Sequence, residues 1–355
     1  MSWGSGAFRT SYERDMALVD TPLRWAVLVL LAAALVALPA VASRFVLELL
    51  SQVALAAVGA LALNLLTGMA GQISLGHAGF MAAGAFSVGM LVEAIAAPPW
   101  VTLPAAGLVG AVLGLVVGIP SLRLRGLYLA LGTLAMHYVI LWIGNEYQAR
   151  FGFNTGVTVP PLALGPLLVR TTRQWYYTLL AIAAVATFLC VNLTRSRVGR
   201  AWMAVRDREI AAASLGIAVA RYKLLAFVAS AVMTSVAGAV WAYQRSFVSA
   251  EAFGFNVTIE YLAMVIIGGL GSVLGALIGA AFVTLLPYAI DGVVAALPVG
   301  DGAQYYLFPL KFGSFGLLMA LFLVFEPRGL VGLWERARGW IVLWPLRHRP
   351  LAPAR

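Results

Sequence analysis

GMAGQISLGHAGF, residues 68–80, breaks a long apolar run with glycines, an amide (Gln72), a hydroxyl (Ser74) and an imidazole (His77). Windows near 20 residues with almost no charge flank it, the length that crosses ~30 Å of hydrocarbon as a helix. A helix broken inside lipid leaves backbone N–H and C=O groups unpaired, at several kcal/mol each. The break is tolerable only where protein or water covers it. Gln72, Ser74 and His77, with Asn64 a turn or two earlier and Gly71 and Gly76 between them, either pair those groups or face a pathway. His77 alone reads as a packed, hydrogen-bonded histidine.

The whole chain agrees with a membrane setting. Of its 355 residues, 62% are hydrophobic and 11% charged, against roughly 25% charged in soluble domains. The apolar runs do not alternate, which argues against a β-barrel. The fold class is therefore all-α and polytopic, with roughly 9–10 membrane segments including broken or re-entrant helices. Candidate spans are 25–42, 45–66, 78–97, 100–119, 126–144, 175–193, 224–244, 259–287 and 306–325. The single cysteine, Cys190, cannot form an intrachain disulfide, and no metal-type cysteine spacing exists.

The net charge of +10 reads as topology rather than nucleic-acid binding, because Lys and Arg collect on cytoplasmic loops. Segment 194–223 holds Arg195, Arg197, Arg200, Arg206, Arg208, Arg221 and Lys223 against Asp207 and Glu209. The tail 326–355 holds Arg328, Arg336, Arg338, Arg347, Arg349 and Arg355. Both are expected in the cytoplasm, as are the SLRLRG turn (121–126) with Arg123 and Arg125, and the N-terminal segment 1–24. The membrane domain is then 25–325. AVAS at 40–43 resembles a signal cleavage site, but Glu13, Asp15 and Asp20 favour a retained first helix.

Counting crossings, the 259–287 run must start and end on the outer side. A break at GGLGSVLG, 268–275, satisfies this with two helices joined by a glycine turn. Gly268, Gly269, Gly271, Ser272 and Gly275 join the first break as translocation-path candidates. The outer loop 288–305 carries Asp291 and Asp301 without Lys or Arg; loop 145–173 also falls outside, although it carries Arg150, Arg170 and Arg173. Segments 70–86 and 268–282 share a glycine turn leading into a small-residue helix. This fits either an internal repeat with broken helices near the midplane or ordinary small-residue packing.

The second informative stretch is 196–227. Asp207 and Glu209 are expected to start a short helix, where acids suit the positive end of its dipole. Ala211, Ala212 and Ala213 give a thin face, and Gly216 suits the position just past the helix end. Arginines, Arg200 and Arg206 among them, flank it. Such a helix can enter a groove on a soluble partner.

NLLTGMAGQISLGHAGFMAAGAF (64–86), LRLRGLYLALGTLA (122–135), GRAWMAVRDREIAAASLGIAVARYKLLAF (199–227), FVSAEAFGF…MVIIGGLGSVLGALIGAAF (247–282) and FEPRGLVGL (325–333) resemble the M-type permease subunit of branched-chain amino acid ABC importers. The likeness runs from about residue 45 to 334. It implies a bacterial inner-membrane subunit paired with a second, H-type permease and two cytoplasmic ATPases, fed by a periplasmic binding protein. Gly199, Arg200, Arg206, Asp207, Glu209, Ala211, Ala212 and Gly216 would then couple to the ATPases. The family's TGG-x-NG pattern is replaced here by FGFNTGVTV, 151–159.

No G-x-x-x-x-G-K-[ST] loop occurs, and the two lysines, Lys223 and Lys311, follow no such glycine. No cofactor is expected on this chain, and ATP-Mg belongs on the partner ATPases. No spacing supports an enzyme. The acids near apolar runs, Glu48, Glu93 and Glu260, are expected near span ends, which disfavours proton coupling. Permeases for urea or short amides are the alternative in the same class. An ion-coupled secondary transporter is the alternative in another.

Overall fold

The computed structural model describes residues 22–124, 126–151, 156–164, 167–296, 304–326 and 328–343. Expectations for segment 1–21, Arg125, the centre of FGFNTGVTV, Asp301, Arg347, Arg349 and Arg355 fall outside those residues. In chain order the membrane helices are α1 (Pro22–Ala37), α2 (Arg44–Leu63, continued by a π turn Asn64–Met69), α3 (His77–Ile95), α4 (Pro99–Ser121) and α5 (Leu127–Phe151). Then come α6 (Thr172–Arg195), two short helices α7 (Arg197–Asp207) and α8 (Glu209–Ser214), α9 (Val219–Arg245), α10 (Phe255–Gly268), α11 (Val273–Ala296), α12 (Gln304–Phe325) and α13 (Gly329–Leu343). Eight stretches among the described residues are long and apolar enough to cross a membrane. With α1 and α12 they occupy every span expected from the sequence, so the fold is all-α and polytopic.

Four short strands lie at one end of the bundle. β1 (Val157–Thr158) pairs antiparallel with β4 (Phe247–Val248), and β2 (Leu162–Leu164) with β3 (Leu167–Val169). The opposite end gathers α7, α8, the α10–α11 turn and Glu326, and is rich in arginine. Its parts are tied together: Trp202 Nε1 donates to Tyr222 O (2.8 Å), and Arg206 Nη1 to Gly68 O (2.7 Å). The spans thread these two ends with the parity the sequence requires. At the strand end Arg150 is paired to Glu146 (2.6 Å), an i,i+4 contact that offsets one of the arginines in that loop.

Small residues decide the packing, because lipid supplies no hydrophobic force between helices. Helix α9 is the hub, lying against α2, α3 and α4. A Cβ on Gly84 of α3 would strike Ser235 O, and one on Gly238 of α9 would strike Met81 O. The backbones therefore touch, and hydroxyls stitch them: Ser235 Oγ donates to Phe80 O (2.9 Å) and Ser230 Oγ to Ala62 O (2.7 Å). On the outside, Trp142, Phe188 and Leu189 are exposed, as acyl chains require.

Gly84→Leu is expected to destabilise the bundle by about 1–3 kcal/mol or more through overpacking, whereas Gly316→Ala, where a Cβ meets nothing within 4 Å, is expected to be neutral or slightly stabilising. Thermal unfolding in detergent checks both; equal melting temperatures would contradict backbone contact between α3 and α9.

Candidate functional site: two helix breaks joined at the arginine-rich end

The π turn widens and underwinds the end of α2, and the chain then leaves helical geometry from Ala70 to Gly76. Its depth follows from two hydrogen bonds. Asn64 bonds the turn after Gly268, while Ala78 N–H donates to Thr258 Oγ1 (3.1 Å), ten residues up α10 from Gly268. At 1.5 Å per residue, the segment climbs about 15 Å, half the hydrocarbon thickness. Helix α3 thus begins near the middle of the bundle.

The backbone and side chains of this segment find partners within the segment itself, in the π turn and in neighbouring helices. Leu75 N–H donates to Thr133 Oγ1 of α5 (2.9 Å), and Gly76 N–H to Ser74 Oγ (3.3 Å). Gln72 Nε2 donates to Lys223 O of α9 (3.2 Å), and Thr67 Oγ1 to Gln72 O (3.1 Å). The Thr234 hydroxyl lies 3.4 Å from His77 Nδ1, and the His77 ring meets Tyr261 edge-on at 4.9 Å. Thr133, Thr234 and Thr258 are parts of the site that sequence reasoning missed. A threonine within an apolar span was their only signal, and nothing local said which break it serves.

Along 71–74 exposure alternates. Gly71 and Ile73 are exposed, Gln72 and Ser74 buried. The segment is extended, with one edge turned inward and the other out of the chain. Several buried polar atoms have no partner among the described residues: Gln72 Oε1, His77 Nε2 and both ring nitrogens of His137.

The second break is a turn between two antiparallel helices at the arginine-rich end. Gly269 (φ +124°) and Gly271 (φ +80°) take backbone conformations that a side chain would strain. Asn64 clasps this turn with both ends of its amide. Gly271 N–H donates to Asn64 Oδ1 (2.9 Å), and Asn64 Nδ2 donates to Ser272 O (3.1 Å). Gly268 and Gly275 pack backbone to backbone across the α10–α11 hairpin. The turn before α13 closes over the same place: a Cβ on Gly269 would come within 2.5 Å of Arg328 O. So the structure brings Asn64, Gly71, Gly268, Gly269, Gly271, Ser272 and Gly275 together. Gln72, Ser74, Gly76 and His77 line the climb away from them.

Arg206 joins this junction to the α7–α8 region. Besides Gly68 O, its guanidinium holds Asp207 Oδ1 (3.2 Å). Its side chain lies where Cβ atoms on Gly71 and Gly271 would fall, at 2.7 and 2.8 Å. Helix α7 is anchored by the buried Trp202 and capped by Ser196, whose Oγ accepts from Val198 and Gly199 N–H. Arg200 bonds Arg195 O (2.8 Å) and so finishes the end of α6.

Two expectations for this region change. Asp207 closes α7 rather than opening α8, and Arg206 offsets its charge at that negative helix end. Glu209 does open α8, paired with Lys223 at 2.9 Å. Ala212 turns inward and is buried, so the outward surface is Ala211 and Ala213 with Ile210 and Leu215, which are 83% and 81% exposed. Gly216 (φ +83°) ends α8: its N–H reaches Ala213 O and the Ile217 N–H reaches Ala212 O, the Schellman pairing. Glu260, expected near a span end, instead sits half-buried within the Ala250–Gly268 span, because the helical run begins well before residue 259.

The chain is 32% identical over 279 residues to the high-affinity branched-chain amino acid transport system permease protein LivM of Salmonella typhimurium, and equally to LivM of Escherichia coli K12. Each alignment covers 72% of this chain and 62% of the relative, so the chain spans under two thirds of those proteins. It is 30% identical over 187 residues to the autoinducer 2 import system permease protein LsrC of Enterobacter sp. strain 638, half of each chain. No solved structure matches. The family model for the permease component of branched-chain amino acid transport systems matches residues 45–324, and the chain belongs to that family.

Proposed function

We propose that this chain forms half of the translocation path of an ATP-driven importer for branched-chain amino acids in a bacterial inner membrane. One observation carries the reading. The irregular segment 70–76 rises from the arginine-rich end to the start of α3 near mid-membrane, with an outward edge at Gly71 and Ile73. Non-helical backbone at that depth occurs only against protein or a water-filled cavity. This edge therefore belongs against a second permease subunit or the conduit between the two. Buried polar atoms without partners at Gln72, His77 and His137 offer weak hydrogen bonds to a passing zwitterion without trapping it in a strong ion pair.

The arginine-rich end faces the cytoplasm in this proposal, with both termini there. Two partner ATPases bind ATP-Mg and dock on α8 through Ile210, Leu215 and the alanines between them; a periplasmic binding protein delivers substrate on the other side. Motion of α8 passes through α7 to Arg206, from Arg206 to Gly68, and through Asn64 to the second break. The rival reading rests on Glu260. A half-buried carboxylate inside a span is a common mark of ion coupling, and an ion-coupled carrier would need no ATPase.

In proteoliposomes holding the complete complex, leucine uptake is expected to require ATP and to survive an uncoupler. Uptake without ATP that collapses with the uncoupler would establish the rival. Excess urea or autoinducer 2, the cargo named for the LsrC relatives, is expected to leave leucine uptake unchanged; competition by either would reassign the cargo. Ile210→Asp with Leu215→Asp is expected to lower ATPase co-purification at least tenfold, since burying each apolar side chain contributes about 1.5–3 kcal/mol. Arg206→Ala is expected to keep ATPase association and reduce uptake about tenfold or more, the scale of a charged hydrogen bond of about 1.5–3 kcal/mol. Wild-type uptake in that variant would remove Arg206 from the coupling route.

A further inference from the structure

The strand end holds a cleft that the two breaks do not use. It measures about 300 Å³ and lies between the first turns of α2, the start of α6, the end of α9 and the β2–β3 hairpin. Small-molecule sites start near ~300 Å³. One wall carries a carboxylate, Glu48 of α2, and another a guanidinium, Arg170 just before α6. Both are exposed, and neither has an ion-pair partner among the described residues, each other included. Opposite charges that share a small cleft but stand apart leave room for a ligand bearing the complementary pair.

The backbone that carries Arg170 is held in place. The Arg170 and Thr171 N–H groups both donate to Gln174 Oε1 (2.9 and 3.0 Å), and Gln174 N–H returns to Thr171 Oγ1. This capping box pins the backbone under Arg170. It also sets the N-terminus of the 24-residue α6, with its partial positive charge, beside the cleft. On the far side, Ser246 (φ +54°) turns the chain out of α9 while its carbonyl accepts from Val159 N–H (3.0 Å). That bond holds the strand region against α9. Trp175, Val169 and Pro161 supply the apolar lining.

We infer that this cleft binds the zwitterionic head of an aliphatic α-amino acid, with its carboxylate at Arg170, its ammonium at Glu48 and its side chain against Trp175 and Val169. The inference deepens the proposed function and rests on it: the cleft is a receiving site on the outer side, reached before the mid-membrane segment. An ethanolamine phospholipid headgroup pairs an ammonium with an acid in the same way. The free amino acid is favoured because the lining continues the charges with a short apolar wall inside the cleft.

The test is radiolabelled leucine binding to the complete complex, without binding protein, in phosphatidylcholine nanodiscs. Saturable binding is expected, with leucinamide and 4-methylpentanoate each competing at least tenfold more weakly than leucine. Arg170→Gln is expected to erase the preference for leucine over leucinamide. Glu48→Gln is expected to erase the preference for leucine over 4-methylpentanoate. A merely structural role would weaken all three ligands together. Unchanged competitor ranking in both variants, with uptake intact, overturns the cleft assignment and leaves the transport reading standing. Displacement of leucine by ethanolamine phospholipid that is lost in both variants assigns the cleft to a headgroup and also overturns it. Absence of leucine uptake by the unsubstituted complex overturns the transport reading and this inference with it.

Discussion

A peptide group in hydrocarbon must find its hydrogen bond within the protein, and the passage of the chain from helix at Met69 to helix at His77 sets that demand at its sharpest. The answer is distributed. Ser74 satisfies one group from within the segment, and Thr133, Thr258 and Lys223 O each satisfy another from different parts of the bundle. Helices α5, α9 and α10 must therefore stand where they do for the break to exist. The arrangement of the bundle and the presence of the break are one requirement seen from two sides.

Close approach of backbones makes those placements attainable. A threonine hydroxyl reaches only a few ångströms, so helices carrying such groups have to sit nearly in contact. Gly84 against Ser235 O, Gly238 against Met81 O and Gly279 against Met264 O show three pairs at that distance. Larger side chains would push the hydroxyls out of range as well as cost packing.

Much of this was legible in the sequence. Charge-poor windows located the spans, and crossing parity required the 259–287 run to fold back, which Gly268 to Val273 does. Glycine, amide and hydroxyl marked the first break because such residues are out of place in a plain membrane helix. What was not legible is relational. Nothing near Asn64 says that it holds Gly271, some two hundred residues away. Asp207 misled because two short helices abut at Arg208, and a charge pattern alone does not show which helix owns a residue. Ala212 misled because a six-residue helix shows only part of its surface, and Ile210 and Leu215 take the outward places. Glu260 was placed at a span edge because hydropathy rises only after it, whereas the helix starts at Phe255.

The amide of Asn64 touches the second turn with its oxygen and its nitrogen together. Both hydrogen bonds must open before the two elements can part. One amide thus lashes the end of α2 to the α10–α11 turn, and a shift of either is passed to the other.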